Sequence, residues 1–224
     1  MTISRLLSSS IFLVSLLGTV AFAQCPNMGM NFGMEPPSTL LPGNYFEYKA
    51  RSYLKRDELR SALGMYEIAA YWGNKTAQYN VGILYFVGGK SIAPDHARGA
   101  AWLRLAAGSQ QPEMTAAFQK ASASLTLAEH AQADAVWKQL QPKYGDAVTR
   151  PRMISHYQIE RRNVTGSRVG FVGNITVCLP DGSEVSGATY YAQMDKVFQT
   201  YVDTMFGRAE VGPLVPIAEP VPEK

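Results

Sequence analysis

The sequence predicts a mainly α fold: a short α/α superhelical repeat array of about two units plus a capping helix, then a small α+β element made of a β-hairpin and an amphipathic helix. Three observations predict it. Apolar residues recur at three- and four-residue steps from Asp57 to Leu140. Paired alanines return at a fixed interval, Ala69-Ala70 and Ala106-Ala107 lying 37 residues apart, with Met65/Trp102 and Tyr66/Leu103 at the same offset. Beyond the array, alternating apolar residues around a Pro-Asp-Gly turn lead into the clearest amphipathic stretch of the chain.

Of the 224 residues, 46% are hydrophobic, 17% charged and 11% aromatic. This composition excludes a disordered chain, a collagen-like fibre and a multi-span membrane protein. The net charge of +3 is not that of a polycation, so no nucleic-acid partner is expected. Two cysteines cannot build a four-thiolate zinc site, and three dispersed histidines leave little for a histidine-based cluster. No cofactor is expected.

Residues 1–23 read as a signal peptide. Arg5 is the only charge in the first 34 residues, and the apolar stretch Ile11–Phe22 is short for a bilayer span. It ends in the small-x-small triplet Ala21-Phe22-Ala23. An uncleaved anchor is one alternative. A lipoprotein modified at Cys25 is another, although Gln24 stands where such processing expects a small residue. Export is the expectation, to a bacterial periplasm first and by secretion otherwise. An oxidising compartment makes a disulfide between Cys25 and Cys178 the economical reading, with free thiols as the alternative.

An N-terminal arm, 24–44, precedes the array, which spans 45–143. Asp57 is the expected N-cap of a helix carrying Leu59, Ala62, Leu63, Tyr66, Ala69 and Ala70, and Gly73-Asn74 stops it. A helix over 75–87 ends at Gly88-Gly89, since glycine takes the left-handed conformation readily. Pro94 is expected in the first turn of the next helix, which stops at Gly108; Pro112 opens a fourth. Thr126 to Glu129 spells a capping box for a fifth helix ending before Pro142. Gly82 and Gly99 inside helices each cost about 1 kcal/mol, which close backbone contact would explain.

The stretch from Ala69 to Gly108 resembles the Sel-one-like repeat, a relative of the tetratricopeptide repeat. The matching residues are Ala69, Ala70, Gly73, Ala77, Gln78, Gly82, Leu84, Tyr85, Gly88, Asp95, Trp102, Ala106 and Ala107. Gly99 stands where the family usually has alanine, and after Gly108 the second unit lacks the Ala-Gln and Gly-x-Leu-Tyr elements. The resemblance implies a scaffold that binds another protein rather than an enzyme. The candidate contacts on the concave face of the hairpins are Tyr66, Gln78, Tyr85, Trp102 and Arg104. Tyr45, Tyr48, Tyr53, Tyr66 and Tyr71 could line a peptide groove but read first as array core.

The α+β element occupies 144–209 and a Pro-rich flexible tail 210–224. Lys143 and five arginines (Arg150, Arg152, Arg161, Arg162 and Arg168) face Asp146 and Glu160 in a locally basic stretch. It is either a solvated face or a docking surface for an anionic partner, such as a membrane surface. Val169, Phe171, Ile175, Val177 and Leu179 alternate before the turn, and a helix from Tyr190 to Phe206 ends at Gly207. Met28, Met30 and Met34 could hold a cuprous ion but read first as apolar filler. Asn74, Asn163 and Asn174 match the glycosylation triplet. Beside the protein-binding scaffold stand two alternatives. One is a small hydrolase-like envelope enzyme with its site where the α+β element meets the array. The other is an anionic membrane-surface binder using 143–168.

Overall fold

The computed structural model describes residues 38–165, 175–179 and 182–207. The expected signal peptide, Cys25, the three methionines, Val169, Phe171, Arg168, Asn174 and the Pro-rich tail lie outside the described residues. Among the described residues are eight helices, two more than the sequence predicted, and one two-stranded sheet.

Helix α1 (Pro42–Lys55) begins with proline at its first turn, where the missing N–H costs nothing. It extends the helical region by one helix upstream of the predicted start at Asp57. Asp57 is not an N-cap: its φ is +60°, and it pairs with Lys90 in the turn after α1. Glu58 instead precedes α2 (Leu59–Tyr71), without a side-chain cap. Asn74 caps α3 (Lys75–Val87) by accepting from the Ala77 N–H at 2.8 Å. Gly88, at φ +74°, closes α3 as expected.

Pro94 falls just outside α4 (His96–Ala107), whose N-cap is Asp95, accepting from the Arg98 N–H at 2.9 Å. Helix α5 (Pro112–Ala123) starts at the predicted proline. The Thr126/Glu129 capping box is formed at the head of α6 (Leu127–Tyr144). This helix runs through Pro142 rather than stopping before it. Only one hydrogen bond is forfeited there, in the last turn. Arg150, Arg152, Arg161 and Arg162 of the basic stretch lie on α7 (Asp146–Thr165), and Lys143 lies in the last turn of α6.

Small side chains fill the interior of the array. Ala50, Ala62, Ala69, Ala70, Ala77 and Ala106 are completely buried. The in-helix glycines mark the closest crossings. A Cβ on Gly99 would lie 2.6 Å from the Phe86 backbone nitrogen, and one on Gly82 would lie 2.7 Å from the Leu103 side chain. Alanine at position 99 would not fit without a shift in α3 or α4.

The α+β element has its own core. Strands β1 (Thr176–Cys178) and β2 (Glu184–Ser186) pair antiparallel with Val177 opposite Val185, and α8 (Gly187–Phe206) follows. Ile175 and Leu179, which the alternation placed in the hairpin strand, lie just outside β1. Leu40, Leu41, Met153, Tyr157, Phe198, Tyr201, Val202 and Met205 form a second cluster joining the segment before α1 to α7 and α8. Tyr157 stacks on Phe198 with ring centroids 3.8 Å apart and donates to Asp195 at 2.6 Å. Arg161 holds the same carboxylate with two bonds of 2.9 Å.

The last turns of α8 dock on the array. The Phe206 ring fills the space beside Gly73, where a Cβ would meet it at 2.6 Å. The Lys75 N–H approaches the Met205 sulfur at 3.3 Å, and Gln111 donates to the Thr204 carbonyl at 3.2 Å. No described helix is long and apolar enough to cross a membrane.

Candidate functional site

A cleft of about 630 Å³ opens where the first turns of α2, α4 and α6 converge on the loop between α3 and α4. Local sequence builds its floor. Gly88 turns the chain out of α3, a single bridge joins Gly89 to Ile92, and the Asp95 N–H returns to the Tyr85 carbonyl at 2.7 Å. Arg60 reaches from α2 to donate to the Ser91 carbonyl at 2.8 Å, which pins the loop over the cleft.

Charge alternates along the lining. The Arg98 guanidinium lies 5.1 Å from the centre of the Tyr85 ring and 3.7 Å from the Asp95 carboxylate. His96 Nδ1 sits 3.1 Å from Glu129. Glu129 also accepts from the Thr126 backbone and hydroxyl, and these bonds, the backbone one first, hold its carboxyl below the ordinary range. The Tyr85 hydroxyl donates to Glu67 at 3.0 Å; burial, aided by that carboxylate, raises its pKa. An aromatic face, two arginines and two carboxylates on rigid helix ends suit a polypeptide segment, which offers both donors and acceptors.

Of the predicted contacts, only Tyr85 lines this cleft. Tyr66, Gln78 and Trp102 are buried, at 1%, 0% and 2% exposure, and present no surface to a partner. Tyr66 sits among the core alanines, where burial and, secondarily, Glu47 push its hydroxyl up to about 12. Gln78 donates to the Tyr144 carbonyl at 2.9 Å, and the Trp102 ring meets Tyr144 edge-on at 4.5 Å. Arg104 lies on the seam between α4 and α6, bonded to Asp134 at 2.7 Å and 3.9 Å from the Trp137 ring centre. Arg60, His96 and Arg98 were missed. The signal for His96 and Arg98 was the helix start marked by Asp95, seven residues past Gly88; no local signal pointed to Arg60 on α2.

The basic stretch does not form one outward-facing plane. Arg152 donates to the Tyr71 and Lys143 carbonyls and stacks 3.7 Å from the Tyr71 ring centre. Arg161 is bound to Asp195. Arg162 donates to the Gln158 carbonyl at 3.2 Å, and Arg150 is half-buried. The place where the α+β element meets the array is packed: Lys75 and Thr149 there are fully buried. Asn74, the first glycosylation triplet, is also buried, and its side chain is engaged as a cap.

No group of three or more His, Cys, Asp or Glu that could hold a metal lies among the described residues. The Cys178 sulfur is disulfide-bonded. No family model, curated protein or solved structure matches this chain.

Proposed function

We propose that the chain is an exported scaffold of the Sel-one-like kind that holds another protein in the cell envelope, gripping a segment of it in the cleft at the head of α2, α4 and α6. The observation that carries this reading is the cleft lining. Arg98, Tyr85, His96 and Glu129 are oriented by one another and by helix caps, so a bound segment meets a preformed surface and little ordering entropy is lost. The Ala- and Gly-lined crossings, the repeat interval and the signal-like N-terminus support the same reading. The pairing of Cys178 with Cys25 belongs to it, since an oxidising compartment would preserve such a bond.

The test is site-specific photo-cross-linking in intact cells, with the reactive residue at Gln132 in the cleft or at the exposed Lys120 on α5. One stoichiometric adduct from Gln132, absent from Lys120 and lost when Arg98→Glu is added, is expected. Equal adducts from both positions, or an adduct indifferent to Arg98→Glu, would overturn it.

A further inference from the structure

The cleft is one end of a longer trough. A second hollow, of about 330 Å³, lies between Gly64, Glu67, Ile68 and Tyr71 of α2 and Lys143 and Tyr144 of α6. Arg60 and Leu63 line the cleft from α2, and Glu129 and Gln132 line it from α6. The two helices therefore run in the same direction along the trough, with their heads at the cleft and their C-terminal ends at the hollow. On α2 the lining residues recur at three- and four-residue steps, so they share one face. The Tyr85 hydroxyl, which belongs to the cleft, donates to Glu67 of the hollow at 3.0 Å and joins the two.

The far end is closed. Arg152 of α7 donates to the Tyr71 carbonyl at the end of α2 and, at 3.0 Å, to the Lys143 carbonyl in the last turn of α6. Its guanidinium lies 3.7 Å from the centre of the Tyr71 ring. A chain lying in the trough cannot pass this bridge and has to stop there. Lys143 stands at the stop, exposed and 5.0 Å from the Tyr144 ring centre; among the described residues no carboxylate pairs with it. Glu67, the carboxylate of the hollow, lies one turn nearer the cleft and is engaged by Tyr85. Apolar room remains beside the cations. Ile68 is 37% exposed, and a Cβ on Gly64 would meet nothing within 4 Å.

We propose that the trough captures the free C-terminus of an extended partner polypeptide. The last side chain, an apolar one, lies against Ile68 and Gly64, and the terminal carboxylate is bound by Lys143 beside the Arg152 bridge. For the residues upstream of the terminus, which lie in the cleft against Arg98 and His96, the inference rests on the cleft reading. The span fits. From Arg60 to Tyr71, α2 rises about 16 Å at about 1.5 Å per residue. An extended chain covers that length in roughly five residues, at about 3.3 Å each. A polypeptide has one C-terminal carboxylate, so a trough closed at its cationic end selects a terminal sequence and refuses internal segments.

The test pans the full chain against two phage libraries of random heptapeptides, one displayed with free C-termini and one inserted inside the coat protein. Enrichment from the first alone, with apolar final residues, is expected. A selected peptide, made as the carboxylate and as the amide, is then titrated by fluorescence polarisation. Amidation of the peptide and Lys143→Glu in the protein should each weaken binding at least about tenfold. The amide leaves the protein untouched, so the folding of a variant does not decide the result. Equal enrichment from both libraries, enrichment from neither, or an amide that binds as tightly as the acid would each overturn the proposal. Arg98→Glu tests the other end of the trough. A peptide weakened by Arg98→Glu but indifferent to amidation would refute terminus capture alone. A peptide that needs its carboxylate but ignores Arg98→Glu would refute the cleft reading and support capture of the terminus in the hollow.

Discussion

The ammonium of Lys75 is almost entirely enclosed, at 1% side-chain exposure, yet the carboxylate that neutralises it, Asp146, is 40% exposed. The pair joins the head of α3 to the head of α7. The same ammonium donates to the Leu105 carbonyl at 2.9 Å and to Gln78 at 3.3 Å. Replacing Asp146 by Asn leaves an enclosed cation with only neutral partners. Breaking a fully buried pair costs about 3–5 kcal/mol; the exposure of Asp146 admits water and reduces this to about 1–3 kcal/mol. Urea unfolding of Asp146→Asn checks it, and an unchanged midpoint would show that the pair contributes nothing.

Burial, opposed by Asp146, lowers the Lys75 pKa below its ordinary 10.5. Between the lowered folded value and 10.5 the unfolded chain binds more protons than the folded one, so stability rises with pH there. Lys75→Met is expected to flatten that rise. Melting curves between pH 8 and 11 on both proteins measure the slope, and equal slopes would refute the assignment.

Asp195 gives a slope of the same sign at the acid end. The Arg161 bonds, and after them the Tyr157 hydroxyl, lower its pKa below the usual 3.8. Its contribution is complete above about pH 5 and disappears as pH falls through the folded value. Asp195→Asn should lose stability at pH 7 and show a shallower acid transition than the parent. Acid titration followed by the tyrosine signal of the Tyr157–Phe198 stack reads this.

Glycine substitutions separate crossing from propensity. Gly99→Ala and Gly82→Ala drive a methyl into α3 and α4 and should each cost about 1–3 kcal/mol. Gly64→Ala, inside α2 with nothing within 4 Å, should instead stabilise by about 0.5–1 kcal/mol. Thermal melts of the three variants suffice, and a destabilised Gly64→Ala would contradict the open space beside it.

Cys178 is disulfide-bonded, and the sequence contains one other cysteine, Cys25. A non-reducing digest should yield one peptide pair joining the two. With Cys25 as the proposed partner, replacing both by serine should cost about 4–5 kcal/mol, because that bond would close a loop of roughly 150 residues. Two reactive thiols in the oxidised protein would end the idea.

What the sequence revealed were local signals. Gly88, Pro112, the Thr126/Glu129 box and Gly207 each sit at the helix end their chemistry specified, whereas Asn74, read with Gly73 as the stop of α2, caps the start of α3. These depend on backbone groups a few residues away. What escaped depends on residues far apart. A lysine reads as surface, and only the meeting of α3, α4 and α7 shows that Lys75 is enclosed. Tyr66, Gln78 and Trp102 looked like contacts because aromatic and amide side chains serve both interfaces and cores, and periodicity alone does not say which layer covers them. Asp57 looked like a cap, but short polar residues also tolerate positive φ, and the tight turn after α1 required that instead.

The docking of Thr204, Met205 and Phe206 across two turns of the array, those between α2 and α3 and between α4 and α5, has a thermodynamic consequence. Stacked hairpins ordinarily melt like a zipper, fraying from the ends inward because each knows only its neighbours. A brace fastened to the turns at 73–75 and at 111 couples units that would otherwise open independently. Slowly exchanging amides in α3, α4 and α8 should therefore share one opening free energy, and the array should lose its structure in a single concerted step.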